Sequence, residues 1–553
     1  MFRFFFTFFY INTRLFFYNL PINILFVIVL IISCSSGGED TDNGGGGPVD
    51  PPSEIIPTNL SVNITIEGSD SANPNGDGSG LVKFSASATN AVSYSYRFGT
   101  GDSKTSTGPV EFTYSDIGTK TYNVKVIAYS STNNFISIDK AITVYVKPVS
   151  DQTLLELLAG SSTKTWKINA AQDAHFSNGA ADKNYPTYWE AYSFSKSNSG
   201  FYDDEFTFNV NGTYQHKTNS TVFGKGVNLN TDFGTTSSPT NGDGDIENYP
   251  LDNYETTFSA KNEDGVDKIE FNDKGFLGFY VGKHSYTIEC SDETNILIRT
   301  VDTNDVAWYL WLSSETISET PSKDQFTNPI WSDEFDYNGA IDSDKWTHEV
   351  REQWYNNEVQ STTNLLENSK VENGVLKLTA IKNSNGNYTS ARIMTHKKLD
   401  FKYGRIDVRA KMPSKTNGVW PAIWLLGSNY SSVDWPACGE MDIQEYAHTN
   451  NFNVQSTVHQ PDGYAGQGDS NVTYDYSDID SEFHVYSLVW TKEALTFYVN
   501  DKPHHIVGNA CSLPFNWEFY LILNFAMGGD MGGDIDSGFT SESMEIDYVR
   551  VYQ

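Results

Sequence analysis

Trp435-Pro-Ala-Cys-Gly-Glu440-Met-Asp442-Ile-Gln-Glu445-Tyr446 is the stretch on which the reading of this chain turns. It places three acids in a short apolar run, spaced two and then three residues apart. In a regular strand side chains alternate faces, so Glu440 and Asp442 point one way and Glu445 the other. One extra residue at Ile443-Gln444, a β-bulge, swings Glu445 back onto the face of the other two. Glu440 and Glu445 then form a close carboxyl pair with Asp442 between them.

Such a pair has a chemical use. Two carboxyls roughly 5–5.5 Å apart let one attack a sugar while the other protonates the leaving oxygen, with retention of configuration. The plain alternative is three acids on the solvated face of an edge strand. The surroundings argue against it. In Trp420-Pro-Ala-Ile-Trp424-Leu-Leu, strand spacing puts Trp420, Ala422 and Trp424 on one face and Ile423 and Leu425 on the other. The aliphatic face already supplies a core, which leaves the indoles free to hold flat sugar rings.

The acid run resembles the Glu-x-Asp-x-x-Glu signature of glycoside hydrolase family 16, in its laminarinase-like (endo-β-1,3-glucanase) branch. Further matches follow in order: Trp331-Ser-Asp-Glu-Phe335, Tyr388-Thr-Ser-Ala-Arg392, Phe401-Lys-Tyr-Gly-Arg405, Phe483-His-Val-Tyr-Ser-Leu-Val-Trp490 and Ile546-Asp-Tyr-Val-Arg-Val-Tyr552. The resemblance implies a jelly-roll sandwich of two curved sheets with the acids in the groove. It implies Glu440 as nucleophile, Glu445 as general acid/base, and Asp442 as the neighbour that orients and tunes them. Trp420, Trp424, Trp435, Asn364, Arg392 and His459 correspond to substrate-side positions. For Asn364 and Arg392 the plain reading is a solvated polar group or an ion pair, and for His459 a structural histidine. A structural calcium near Glu334, Gly374 and Asp547 is also implied, suited to an oxygen-rich set and taking no part in the chemistry. No cofactor is expected for catalysis.

The whole chain has 553 residues, too many for one core. A net charge of −33 excludes a nucleic-acid partner. Aromatic residues at 14 % and plentiful Ser, Thr, Asn and Gly suit secreted all-β modules. Arg3 and Arg14 precede an apolar run from Leu20 to Ile32 that ends at Ile31-Ile-Ser33-Cys34, which resembles a bacterial lipobox. Residues 1–34 therefore read as a lipoprotein signal with Cys34 acylated, anchoring the chain to a membrane, with the outer membrane and the cell surface as the expected location. Residues 35–58 read as a flexible tether. Cys290, Cys438 and Cys511 remain. Cys438 and Cys511 share one segment and could pair; two buried free thiols are the simpler reading.

Residues 59–148 carry short strand runs. Tyr96-Arg-Phe-Gly-Thr-Gly-Asp102 and Phe112-Thr-Tyr-Ser-Asp-Ile-Gly118 resemble a PKD-type Ig-like sandwich, expected to act as a spacer. Residues 151–313 open with a helix at Thr153–Ala159 and continue as strands, similar to lipocalin-like accessory modules with a small barrel and a glycan-binding role. Within them, the Gly/Asp/Asn/Thr-rich stretch from Val222 to Tyr249 reads as an irregular loop. Residues 314–327 read as a linker and 328–553 as the catalytic module. The expected class is all-β, and the expected molecule is a monomeric, lipid-anchored endo-β-1,3-glucanase acting on laminarin-like β-glucan. The alternatives are a hydrolase of mixed-linkage glucan or marine galactan, and a surface glycan-binding protein without turnover.

Overall fold

The computed structural model describes residues 55–71, 73–115, 118–132, 134–146 and 151–553. The signal segment, Cys34 and the tether as far as residue 54 lie outside the described residues, as does part of Phe112–Gly118. Among the described residues no helix is long and apolar enough to cross a membrane. The molecule is all-β, with strands in three bodies that pack against one another.

The first body pairs a three-stranded sheet with a four-stranded one, and Phe84, Tyr96, Phe98, Val124 and Val126 fill the space between them. It is not a free spacer. Its Gly101, at φ +102°, lies under Trp517 of the third body, where a Cβ would come within 2.4 Å of the indole. Ser103 Oγ donates to Glu518 Oε2 at 2.5 Å.

The second body is a closed barrel. Strand Thr163–Ile168 pairs with Glu205–Asn209 on one side and Val306–Ser313 on the other, so eight antiparallel strands return on themselves. Phe and Tyr side chains, with Trp166, fill its interior. The helix Asp151–Ala159 packs on it through Leu154 and Leu158. The stretch expected to be an irregular loop is instead a hairpin, Ser220–Lys225 with Asp245–Leu251, and a short helix, Gly226–Asp232. Polar composition misled there, because Val222, Phe223, Ile246 and Tyr249 at its two ends are buried. Gly224 lets this hairpin approach the backbone of Tyr280.

The third body is a two-sheet sandwich with ten strands in one sheet and seven in the other. The seven are β1 (Thr347–His348), β2 (Arg392–Met394), β3 (Val419–Gly427), β4 (Glu440–Glu445), β5 (Val454–His459), β6 (Asp469–Thr473) and β7 (Phe519–Met527), in the spatial order β1-β2-β7-β3-β4-β5-β6. Ile423, Leu425, Met441, Ile443, Leu521, Leu523 and Phe525 point into the core between the sheets, as period-two alternation requires.

Barrel and sandwich share that core: Tyr185, Leu297, Tyr309 and Trp311 of the barrel belong to the same apolar cluster as the sandwich strands. Asp173 accepts from Thr496 and Tyr498 across the seam, at 2.8 and 3.2 Å. A disulfide joins Cys290 to Cys511, with Cα atoms 5.6 Å apart. This corrects both cysteine readings. Cys438 is the free, buried thiol, and the pair spans 221 residues between two bodies, a proximity that spacing cannot reveal.

Candidate active site

β4 is where the backbone is bent to purpose. Against β3, Ile423 faces Gln444 while Trp424 faces Asp442, so Ile443 is an extra residue. Against β5, the three steps from Asp442 to Glu445 oppose only two, from Thr457 to Gln455. The bulge sends Ile443 into the core and returns Glu445 to the face of Glu440 and Asp442. All three acids line a cleft of about 650 Å³, together with Trp420, Ala422, Trp424, Trp435 and Arg392.

Each acid has its own surroundings. Glu445 is 7 % exposed; Oε1 accepts from Trp420 Nε1 and Oε2 from Thr457 Oγ1, each at 3.1 Å. Asn450 Nδ2 ties down the Glu445 carbonyl at 2.9 Å. His459 Nε2 lies 3.1 Å from Asp442 Oδ2 and 3.6 Å from Glu440 Oε1.

Burial pushes the Glu440 carboxyl up to about 8; the Asp442 charge adds to this and the His459 imidazolium opposes it. Asp442 is driven well above the usual carboxylate range by burial first and by Glu445 second. Glu445 is also raised by burial, against the His459 imidazolium and the Trp420 and Thr457 donors. Three charges cannot share one buried site, so the acids titrate as a group and hold protons above the usual carboxylate range. A proton on Asp442 removes the larger of the two carboxylate repulsions on Glu440, and His459 beside it favours the ionised glutamate.

Residues 353–550 match the family profile of the glycosyl hydrolases family 16. A protein named beta-glucanase from Rhodothermus marinus is 37 % identical over 246 residues, which cover 40 % of this chain and 84 % of that protein. The chain belongs to glycosyl hydrolases family 16. This family 16 chain is also 34 % identical over 260 residues to glucan endo-1,3-beta-glucosidase A1 of Niallia circulans, covering 41 % of this chain but 38 % of that protein. Among solved structures, LamAcat from Zobellia galactanivorans is 39 % identical over 41 % of this chain and 98 % of its own, with a TM-score of 0.38. The family 16 chain is a glycoside hydrolase.

The remaining substrate-side expectations divide. Trp435 is 37 % exposed and meets Tyr464 edge-on at 5.3 Å. Trp424 donates to Asn524 Oδ1 at 2.6 Å and carries the Arg392 guanidinium on its ring at 4.6 Å. Arg392 also pairs with Glu349 at 2.9 Å. Asn364 is exposed in the loop after Gln360–Thr362 and does not line the cleft. Sequence reasoning missed Trp354, Tyr355, Tyr430, Tyr520 and Asn524, which do line it. Tyr520 and Asn524 lie in an apolar alternating run, but only the β3–β7 register brings them beside Trp424. The adjacent aromatics Trp354-Tyr355, three residues after Arg351, were the available signal for those two.

At the calcium expectation, strand register brings Glu334 and Gly374 to the same part of the last strand. Asp333 faces Val549, Leu376 faces Ile546, and Asp547 is the bulged residue against Arg409–Ala410. The placement would suit a cation, and both carboxylates there are held by guanidiniums. Asp547 pairs with Arg409 at 2.5 Å and Glu334 with Arg550 at 2.8 Å.

Proposed function

We propose that the chain is a retaining endo-β-1,3-glucanase acting on laminarin-like β-glucan. Glu440 attacks the anomeric carbon, Glu445 protonates the departing oxygen, and a covalent glycosyl-enzyme forms. Once Glu440 is esterified its charge is gone, Glu445 becomes the base for the incoming water, and configuration is retained. The observation that carries this reading is the β4 bulge, which gathers both glutamates over an aromatic cleft. Linkage preference draws on the names of the relatives above. A neutral substrate is favoured over a sulfated galactan because the Arg392 guanidinium in the cleft is already paired with Glu349.

The test is release of reducing ends from laminarin, mixed-linkage glucan and agarose. Laminarin should be cut fastest, and Glu440→Ser should abolish release while leaving the fold intact. Binding of laminarin without release by the unaltered chain would support the glycan-binding alternative instead. We also place the mature chain at the bacterial cell surface through a lipid on Cys34, for which the lipobox-like run is the support and the disulfide's need for an oxidising compartment is consistent. Cys34→Ala should then move the protein from the membrane fraction to the soluble fraction. For calcium, the reading is that the ion displaces Arg409 from Asp547. Chelation should lower Tm and Asp547→Asn should remove that response; equal Tm in chelator and in calcium contradicts it.

A further inference from the structure

The limb that follows His459 is held from outside the catalytic sandwich. After His459 the chain turns tightly, Gln460 and Gly463 exchanging backbone hydrogen bonds at 2.9 and 3.0 Å. It then returns so that Gly468 lies on the imidazole, where a Cβ would come within 2.7 Å of His459 Nδ1. Tyr464, on the same limb, is the partner of Trp435 at the cleft. The turn itself is gripped by the barrel. Asp462 Oδ2 accepts from Lys183 Nζ and from the Tyr185 hydroxyl, both at 2.9 Å. Gln460 Nε2 donates to the same hydroxyl at 3.2 Å.

The grip has firm backing. Tyr185 is 8 % exposed and is part of the shared core. The Tyr309 hydroxyl, on a barrel strand, donates to the Lys183 carbonyl at 2.7 Å. Ser512, next to the bridged Cys511, donates to Asn184 Oδ1 at 3.1 Å. Pro186 lies against Gly508, where a Cβ would meet its ring at 2.6 Å. The segment from Lys183 to Pro186 is thus fixed on both sides before it reaches the turn.

We propose that the barrel completes the active site: Tyr185 and Lys183 are positioning residues that hold the Gln460–Gly468 limb, and with it His459 and Tyr464, against the acids and Trp435. The Lys183–Asp462 pair is partly exposed and by itself worth little. The buried phenol, bonded to both side chains of the turn, does most of the holding. His459 stands within 3.1–3.6 Å of Asp442 and Glu440, so a loosened limb disturbs an imidazole in contact with two of the acids. It also frees Tyr464 from the ring it buttresses. Misplacements of this size alter rates without touching the reacting atoms.

This inference rests on the hydrolase reading, and its test keeps the two apart. In the full-length, disulfide-intact chain, Tyr185→Phe should lower kcat/KM on laminarin about tenfold, with KM rising as well as kcat falling. Lys183→Met should do less, and Lys183→Arg should restore what it loses. Hydrogen–deuterium exchange across residues 460–468 should quicken in Tyr185→Phe and stay unchanged in strands β3 and β7. A fall in Tm with kcat, KM and exchange of that limb unaltered would overturn the proposal, since a merely structural tyrosine predicts that pattern. If the unaltered chain hydrolyses no glucan, the hydrolase reading fails, and exchange at 460–468 alone decides whether the barrel holds the limb.

Discussion

On the proposed mechanism Glu445 keeps a proton in the resting enzyme and surrenders it to the departing oxygen, and its neighbours set the balance. Burial raises its pKa, while the Trp420 and Thr457 donors pull it down because they favour the carboxylate. Trp420→Phe removes one donor and should raise the Glu445 pKa further. The alkaline limb of the pH–kcat/KM profile, where the acid form is lost, should move to higher pH while kcat falls. A limb that stays in place, or moves down, would contradict the assignment of Glu445 as the acid. Glu445→Ala should lose most activity on laminarin but retain glycosyl-enzyme formation from a substrate with an activated leaving group. At this scale much was legible: acid spacing, the indole pair and His459 are all visible as residue types at intervals. Asn364 was not, because whether a loop polar faces the cleft depends on a backbone path that spacing does not encode.

The decisive element is β4 with its extra residue. Period-two alternation, together with the apolar flanks Met441 and Ile443, made a bulge the simplest way to bring Glu445 round, and the register against β3 and β5 has it at Ile443. Deleting Ile443 restores regular alternation with Glu445 still on the cleft face, but puts the Gln444 amide into the core position that Ile443 fills. The deletion variant should have a markedly lower Tm while its three acids keep the cleft face; an unchanged Tm would mean that Ile443 contributes nothing to the core. The hairpin at Ser220–Lys225 and Asp245–Leu251 was missed for the opposite reason. Its apolar residues stand at the two ends of a long polar stretch, and only the closed barrel brings those ends together.

Barrel and sandwich are joined by a shared core, a disulfide and buried hydrogen bonds, and the first body, with a core of its own, touches the sandwich through Gly101 and Ser103. Opening Cys290–Cys511 with a Cys→Ser pair should cost about 2–4 kcal/mol of stability, read as a lower denaturation midpoint. The barrel–sandwich seam also carries titrating acids. Burial pushes Glu190 up to about 8, with Asp469 adding, and Glu493 up to about 7. A folded-state pKa above the unfolded value means that the folded form holds the proton more tightly. Their contribution is therefore present at low pH and lost as pH rises through about 7 to 8. Tm should fall between pH 6 and pH 9, and Glu190→Gln should flatten that fall; a Tm that rises over this range contradicts the seam's account. The seam was illegible in the sequence because its partners, Cys290 with Cys511 and Asp173 with Tyr498, lie hundreds of residues apart. What the whole assembly does to a glycosidic bond is most directly read from the first product anomer. Proton NMR during cleavage of a laminarin oligosaccharide should show the β-anomer appearing first and the α-anomer only later by mutarotation. An α-anomer formed first would mean inversion, and Glu440 would not be the nucleophile.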